Sequence, residues 1–179
     1  MSPEEWTTRT DRSRLPSSSV TTTDAGSRSS VHSARLSLAD RAPDVYRAMA
    51  TFSARAGAGL EGPLVELVKI RASQINHCAF CVDMHSREAL AAGESTARII
   101  QLSAWAESRH FYTERELAAL ELTEAVTVLT DGFVPDAVWA VAAAAFDETE
   151  LAQLVAAITA INAWNRFAVT TRMVPAGRP

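Results

Sequence analysis

The chain has 179 residues, of which 47% are hydrophobic and 21% charged, with a net charge of −4 and an isoelectric point near 5.6. That balance fits one globular domain with a sizeable core and argues against nucleic-acid or anionic-membrane partners. The longest uninterrupted apolar run, Ala137 to Phe146, has ten residues, too few to cross a bilayer. No apolar stretch of signal-peptide type follows the N-terminus, so the expectation is a cytoplasmic protein.

Residues 1–34 differ in kind from the rest. They hold nine Ser and six Thr, fifteen hydroxyl residues in all, with four acids (Glu4, Glu5, Asp11, Asp24) and four arginines (Arg9, Arg12, Arg14, Arg28). No hydrophobic period runs through them, so a disordered or extended arm is expected there. The acids argue against a transit peptide. Residues 35–179 are the expected folded domain.

From about residue 40 the pattern reads as helices throughout. Ala42 to Arg55 carries Val45, Met49 and Phe52 at helical spacing. Pro63 is placed to open a helix through Ala72, with Leu64, Leu67, Val68 and Arg71 on one side. Asn76 reads as the N-cap of the next helix, with His77 and Cys78 in its first turn and Gly93 as its C′ stop. Ser95 reads as the cap of a short helix containing Ile99, Ile100 and Leu102. Thr113-Glu114-Arg115-Glu116 is a capping box ahead of Leu117 to Leu129. Pro135 starts another helix, and Asp147 to Glu150 caps a last one reaching about Arg172. No segment alternates for long enough to be a strand. The fold class is therefore all-α.

The chemistry concentrates in Cys78-Ala79-Phe80-Cys81-Val82-Asp83-Met84-His85, which contains both cysteines of the chain. At 100° per residue, Cys78, Cys81 and His85 share one helical face. Cα atoms three apart on a helix lie within disulfide range. The helix terminus favours a thiolate at Cys78, whereas Cys81 is four residues from His85 and can share a proton with it. Three other readings compete. Two inert buried thiols are one. Zinc on His77, Cys78, Cys81 and His85 is another, although ligands from one helix surround an ion poorly. Covalent haem needs histidine directly after the second cysteine, where Val82 stands.

The run from Leu67 through His85, continued by Ala91-Ala92-Gly93-Glu94, the 114–129 helix and Ala160-Ile161-Asn162-Ala163-Trp164-Asn165-Arg166, resembles the carboxymuconolactone decarboxylase family. The likeness is to the branch related to alkylhydroperoxidase D, and it covers roughly residues 40–172. The resemblance implies an alkylhydroperoxidase D-like helical bundle with CxxC at the N-terminal end of a core helix. It implies a site of Glu66, Cys78, Cys81 and His85. Periodicity alone would leave Glu66 as an ordinary ion pair with Lys69. One position departs from the branch: Phe80 stands where alkylhydroperoxidase D has a second histidine. The decarboxylase that names the family lacks the cysteine pair, so CxxC favours redox chemistry. Asn162, Asn165 and Arg166 either border the site or tie helices together.

The expected activity is a dithiol peroxidase that reduces hydroperoxides as an antioxidant, through a sulfenic acid and an intrachain disulfide. It needs no cofactor or metal. Its partners would be a small hydroperoxide and a dithiol reductant, which the resemblance suggests is a lipoyl-bearing protein. Weighing a helix-end charge of roughly 0.3–1 kcal/mol against a positioned base worth about 10²–10⁴ in rate favours Cys81 as the attacking sulfur. A thiol-disulfide protein without peroxide turnover and a lactone decarboxylase-like enzyme are the alternatives. The Ala-rich, nearly all-apolar helices at 137–146 and 151–163 exceed what one small domain comfortably buries. A homo-oligomer, trimeric or hexameric by resemblance, is therefore expected, with a pocket lined by Phe80, Met84 and Trp164.

Overall fold

The computed structural model describes residues 33–176, and the arm expected over 1–34 lies almost wholly outside them. The described residues form eight α-helices and no strand: α1 Leu38–Arg41, α2 Pro43–Arg55, α3 Gly62–Ile75, α4 Ala79–Ala91, α5 Thr96–Gln101, α6 Glu114–Thr127, α7 Asp136–Ala145 and α8 Glu148–Thr171. Two short 3₁₀ turns, Leu102–Ala104 and Arg109–Phe111, link α5 to α6. No described helix is long and apolar enough to cross a membrane.

The helix α3 is the centre of the bundle and packs against α4, α6 and α8. Its buried residues, Leu64, Val65, Leu67, Val68, Ile70, Ala72 and Ser73, lie on more than one face. One side joins Ala119 and Leu122 of α6 and Leu154 and Ile158 of α8. Another joins Ala89 of α4 with Leu102, Trp105 and Leu120. The C-terminal end meets both cysteines together with Ile161 and Ala168 of α8. The thiols are thus held where three helices converge.

The helix ends follow from local chemistry. Thr113 and Glu116 close the expected capping box of α6, and Asp147 and Glu150 close a second one at α8. The helix α4 ends at Gly93, at φ +94°. There the Glu94 N–H bonds the Ala89 carbonyl at 2.9 Å and the Gly93 N–H bonds that of Leu90 at 3.0 Å, which is the glycine stop read from the sequence. Ser95 is the N-cap of α5, although its side chain makes no capping bond.

One expectation fails. The helix α3 runs on to Ile75, so Asn76 is its C-cap and does not cap the CxxC helix. The helix α7 is not buried on all sides within one chain. Only Ala142 is buried, whereas Trp139 is 46% and Val141 48% exposed. Among the described residues its apolar face is left exposed, the excess over one small domain's interior that the composition implied.

Candidate active site

The turn that delivers the cysteines is built by the end of α3. His77 adopts φ +53°, the left-handed conformation usually left to glycine. Its N–H bonds the Gln74 carbonyl at 3.2 Å, and the Cys78 N–H bonds that of Ser73 at 2.9 Å. The chain reverses in two residues and places Cys78 at the N-cap of α4. There the Cys78 sulfur does what a serine oxygen does at other helices: it accepts the backbone N–H of Cys81, at 3.4 Å.

Both cysteines are free thiols and buried. Their acidities diverge. The Cys81 thiol and Cys81 backbone N–H both point at the Cys78 sulfur and, against the cost of burial, bring Cys78 down from the usual 9.0 to about 7. Cys81 moves up, because it donates to Cys78, is itself buried and faces the charge on its neighbour. The resting thiolate therefore falls on Cys78. Neither the helix terminus nor the histidine is the largest influence on either sulfur; the partner thiol is.

Beneath the sulfurs lies a polar cradle. The Asn165 side chain lies close enough to both thiols to favour their ionised forms, and its Nδ2 donates to Ser73 Oγ at 2.9 Å. Asn76 Nδ2 donates to Oδ1 of both Asn162 and Asn165 at 2.9 Å. Asn162 in turn donates to Thr127 Oγ1 at 3.0 Å. The segment around Asn162 therefore does both jobs left open by the sequence. It ties α8 to α3 and α6, and through Asn165 it touches the thiols. Among the described residues, Arg166 bonds the Asn162 carbonyl and side-chain oxygen, within its own helix.

One turn further along α4, Glu66 comes from α3 and meets His85. Its Oε2 lies 3.0 Å from His85 Nδ1, and its Oε1 accepts from Lys69 Nζ at 2.7 Å. The pair with Lys69 and the contact with His85 thus coexist on one carboxylate. Burial would raise the Glu66 carboxyl, but the bonds from His85 and Lys69 and their charges outweigh it and hold it below its usual range. Glu66 stays an anion and faces Nδ1 of the imidazole. Sequence reasoning missed Glu88, whose Oε2 lies 2.9 Å from the same Nδ1. Its position three residues after His85 on one helix was the available signal.

Among the described residues, Glu66, His85 and Glu88 are the one set of three metal-ligand side chains whose atoms lie within 4.8 Å of one another. The set contains no cysteine, so the zinc ligands His77, Cys78, Cys81 and His85 considered from the sequence are not brought together.

Cys81 and His85 share the wall of a cavity of about 160 Å³. Phe80, Met84 and Trp164 line it as expected, joined by Tyr46 and Met173. Cys78 borders a separate, open surface groove with Gln74, His77 and Asp83. The two sulfurs of one helical turn therefore look out on different surroundings.

With this geometry in place, the comparisons with known proteins converge. The carboxymuconolactone decarboxylase family model matches residues 43–125, which include Glu66, Cys78, Cys81 and His85. An uncharacterized Bacillus subtilis protein, YdfG, is 45% identical over 104 residues, spanning 58% of this chain and 70% of its own. The chain belongs to the carboxymuconolactone decarboxylase family. A second relative of this family member, the uncharacterized YnjA of Escherichia coli, is 37% identical over 101 residues, spanning 56% of this chain and 54% of its own. A crystal structure from Agrobacterium tumefaciens matches with a TM-score of 0.78 at 37% identity, covering 82% of this chain and 100% of that one. That protein is described as of unknown function, with an assignment to antioxidant defence protein AhpD. The fold is thus the all-helical AhpD-like bundle implied by the sequence. The stretch matched by the family model ends before α8, so Asn162 and Asn165 lie outside it.

Proposed function

We propose that this protein is a dithiol peroxidase that reduces organic hydroperoxides and serves antioxidant defence. One observation carries the reading. Two reduced thiols lie in a single turn, one lowered to about 7, and the other shares an apolar cavity with a carboxylate-oriented histidine. An inert structural pair has no need of an acidified sulfur, and perturbed acidity in a cleft is a mark of chemistry.

The steps balance within these residues. The thiol pair releases one proton to His85 and keeps the other between its sulfurs. At rest the charge is on Cys78. A proton hop from Cys81 to Cys78 moves it to the sulfur on the cavity wall. That hop sacrifices a charged hydrogen bond and the helix-end field, about 2–4 kcal/mol together. The Cys81 thiolate attacks the outer oxygen of the hydroperoxide, and the O–O bond breaks. Cys81 becomes a sulfenic acid, and His85 protonates the departing alkoxide to an alcohol. Cys78 then displaces water from the sulfenic acid and the disulfide forms. An external dithiol restores both thiols by exchange, most accessibly at Cys78, which borders the open groove. Family likeness suggests a lipoyl group on a partner protein as that dithiol.

Self-association belongs to the same reading. The uncovered apolar face of α7, with Trp139 and Val141, suits a partner copy in a trimer or hexamer. Light scattering should exceed the 19.3 kDa of one chain.

The test is hydroperoxide consumption with dihydrolipoamide and with small dithiols, on the wild type and on a double Cys→Ser variant. Turnover in the first and none in the second is expected. Disulfide exchange without peroxide consumption would instead assign a thiol-disulfide protein. Lactone turnover that survives in the double variant would assign decarboxylase-like chemistry.

A further inference from the structure

We propose that the site is built for hydroperoxides with a long, neutral aliphatic chain, whose tail runs into a second cavity roofed by residues 34–39. The reacting end of such a ligand rests on the dithiol peroxidase reading, but the tail site does not.

The second cavity holds about 300 Å³ and shares Tyr46, Phe80, Trp164 and Met173 with the one at Cys81. Four shared lining residues make the two spaces neighbours, and a chain that reaches both passes between those side chains. The inner space of about 160 Å³ is smaller than most small-molecule sites, which run to about 300–1,000 Å³, whereas the two together fall inside that range.

The outer walls decide the chemistry. Ala34 and Leu36 come from the strap, residues 34–37, and Leu38 from α1, and Phe167 and Val174 come from α8 and its exit. Among the described residues, no Lys, Arg, Asp or Glu lines either cavity, and the titratable groups in their walls are Cys81, His85 and Tyr46. A carboxylate or phosphate on the buried tail would be left without a partner, at a cost that an aliphatic chain does not incur. Apolar walls instead favour each methylene taken out of water.

The walls are also held in place without a ligand. The Arg35 N–H donates to the Thr171 carbonyl at 2.8 Å, and Arg35 Nη1 donates to that of Thr170 at 3.2 Å, so the strap is fastened to the end of α8. The helix α8 then stops at Arg172, at φ +55°, and the Met173 N–H bonds the Ala168 carbonyl at 2.9 Å. That reversal returns Met173 and Val174 to the same cavity. Trp164 is fixed edge-on against Tyr46 at 5.3 Å and Phe167 at 6.0 Å. Leu36 and Val174 remain about half exposed, so the outer end opens to solvent, as entry of a long chain requires.

The experiment uses straight-chain primary alcohols of increasing length, the redox-inert products of the proposed reaction, titrated calorimetrically into the reduced full-length protein below their micelle concentrations. Affinity should rise by up to about fourfold per methylene until both cavities are filled, then level off. A carboxylate at the far end of a chain that both cavities contain should weaken binding at least tenfold. Leu38→Glu, which puts a charge on the outer wall, and Ala39→Trp, which fills the space, should each weaken long alcohols more than short ones. Using two variants at separate positions guards against one that fails to fold. Affinity independent of chain length would overturn the proposal. So would Leu38→Glu lowering the assembled mass while long-alcohol affinity stays as in wild type, because the outer face would then belong to a second copy. Alcohol binding without peroxide turnover would refute the peroxidase reading and leave the tail site standing. Turnover without chain-length dependence would do the reverse.

Discussion

Cys78 and Cys81 occupy the same helical turn and are equally hidden from solvent, yet they differ in nearly everything that governs reactivity. Cys78 caps the helix, accepts the Cys81 N–H and borders an open groove. Cys81 lies inside the turn, donates its own proton and borders a smaller, mainly apolar cavity with His85. The difference shows that burial does not set thiol acidity by itself. Where each sulfur sits in the donor pattern of the helix terminus decides which one holds the charge. In this pair the charge and the substrate cavity are on different atoms, with one shared proton between them.

The largest expected effect comes from removing either sulfur, and it separates their roles. Both Cys78→Ser and Cys81→Ser should abolish the disulfide and steady turnover. With hydroperoxide and dimedone, Cys78→Ser should accumulate a trapped sulfenic acid on Cys81, read by mass spectrometry. The Cys81→Ser variant should show little. The opposite pattern would reverse the assignment of the attacking sulfur.

Next in size is the proton machinery on the Cys81 side. His85→Ala should slow thiol oxidation by about 10²–10⁴. Glu66→Gln should have a smaller effect, because it removes the orienting anion and leaves the imidazole. The double variant should be little worse than His85→Ala alone, since the two act as a unit. Multiplicative effects would mean that they act separately.

The cradle beneath Cys78 should show in stability. Asn165→Ala leaves Ser73 and Asn76 short of partners and removes a donor to both thiols. It should cost about 1–3 kcal/mol in denaturant unfolding and raise the pH at which Cys78 ionises. A smaller effect is expected at the turn that delivers Cys78. His77→Val places a β-branched residue at φ +53° and should cost about 1–2 kcal/mol, whereas His77→Gly should not destabilise.

Much of this arrangement was legible in the sequence, and the failures have specific causes. The capping boxes at Thr113 and Asp147 and the glycine stop at Gly93 are local signals, and local structure obeys them. Asn76 misled because asparagine serves either end of a helix. Its C-cap role is settled by Asn162 and Asn165, more than eighty residues away. The Glu66–His85 contact joins two helices, so spacing along one helix could not find it, and only family likeness pointed there. Glu88 lay within reach of spacing and was overshadowed by Glu66. The divergent acidities of Cys78 and Cys81 depend on donor directions at a capped turn, which no one-dimensional pattern contains.

Folding stability should carry the same signature. Folding lowers the Cys78 pKa from 9.0 to about 7, so its ionised form stabilises the fold fully only above about 9. That contribution fades as pH falls through 7. Above 9 the raised Cys81 works against it, because the unfolded thiol ionises there and the folded one does not. A rise in stability from pH 7 to 9 that disappears in Cys78→Ser is the expected result.

The most direct test of the account is alkylation of the reduced protein by iodoacetamide across pH, resolved by residue with peptide mass spectrometry. The account predicts that Cys78 reacts first, with a midpoint near 7, and that Cys81 lags across the whole range. Equal rates with a shared midpoint near 9, or Cys81 reacting first, would contradict it.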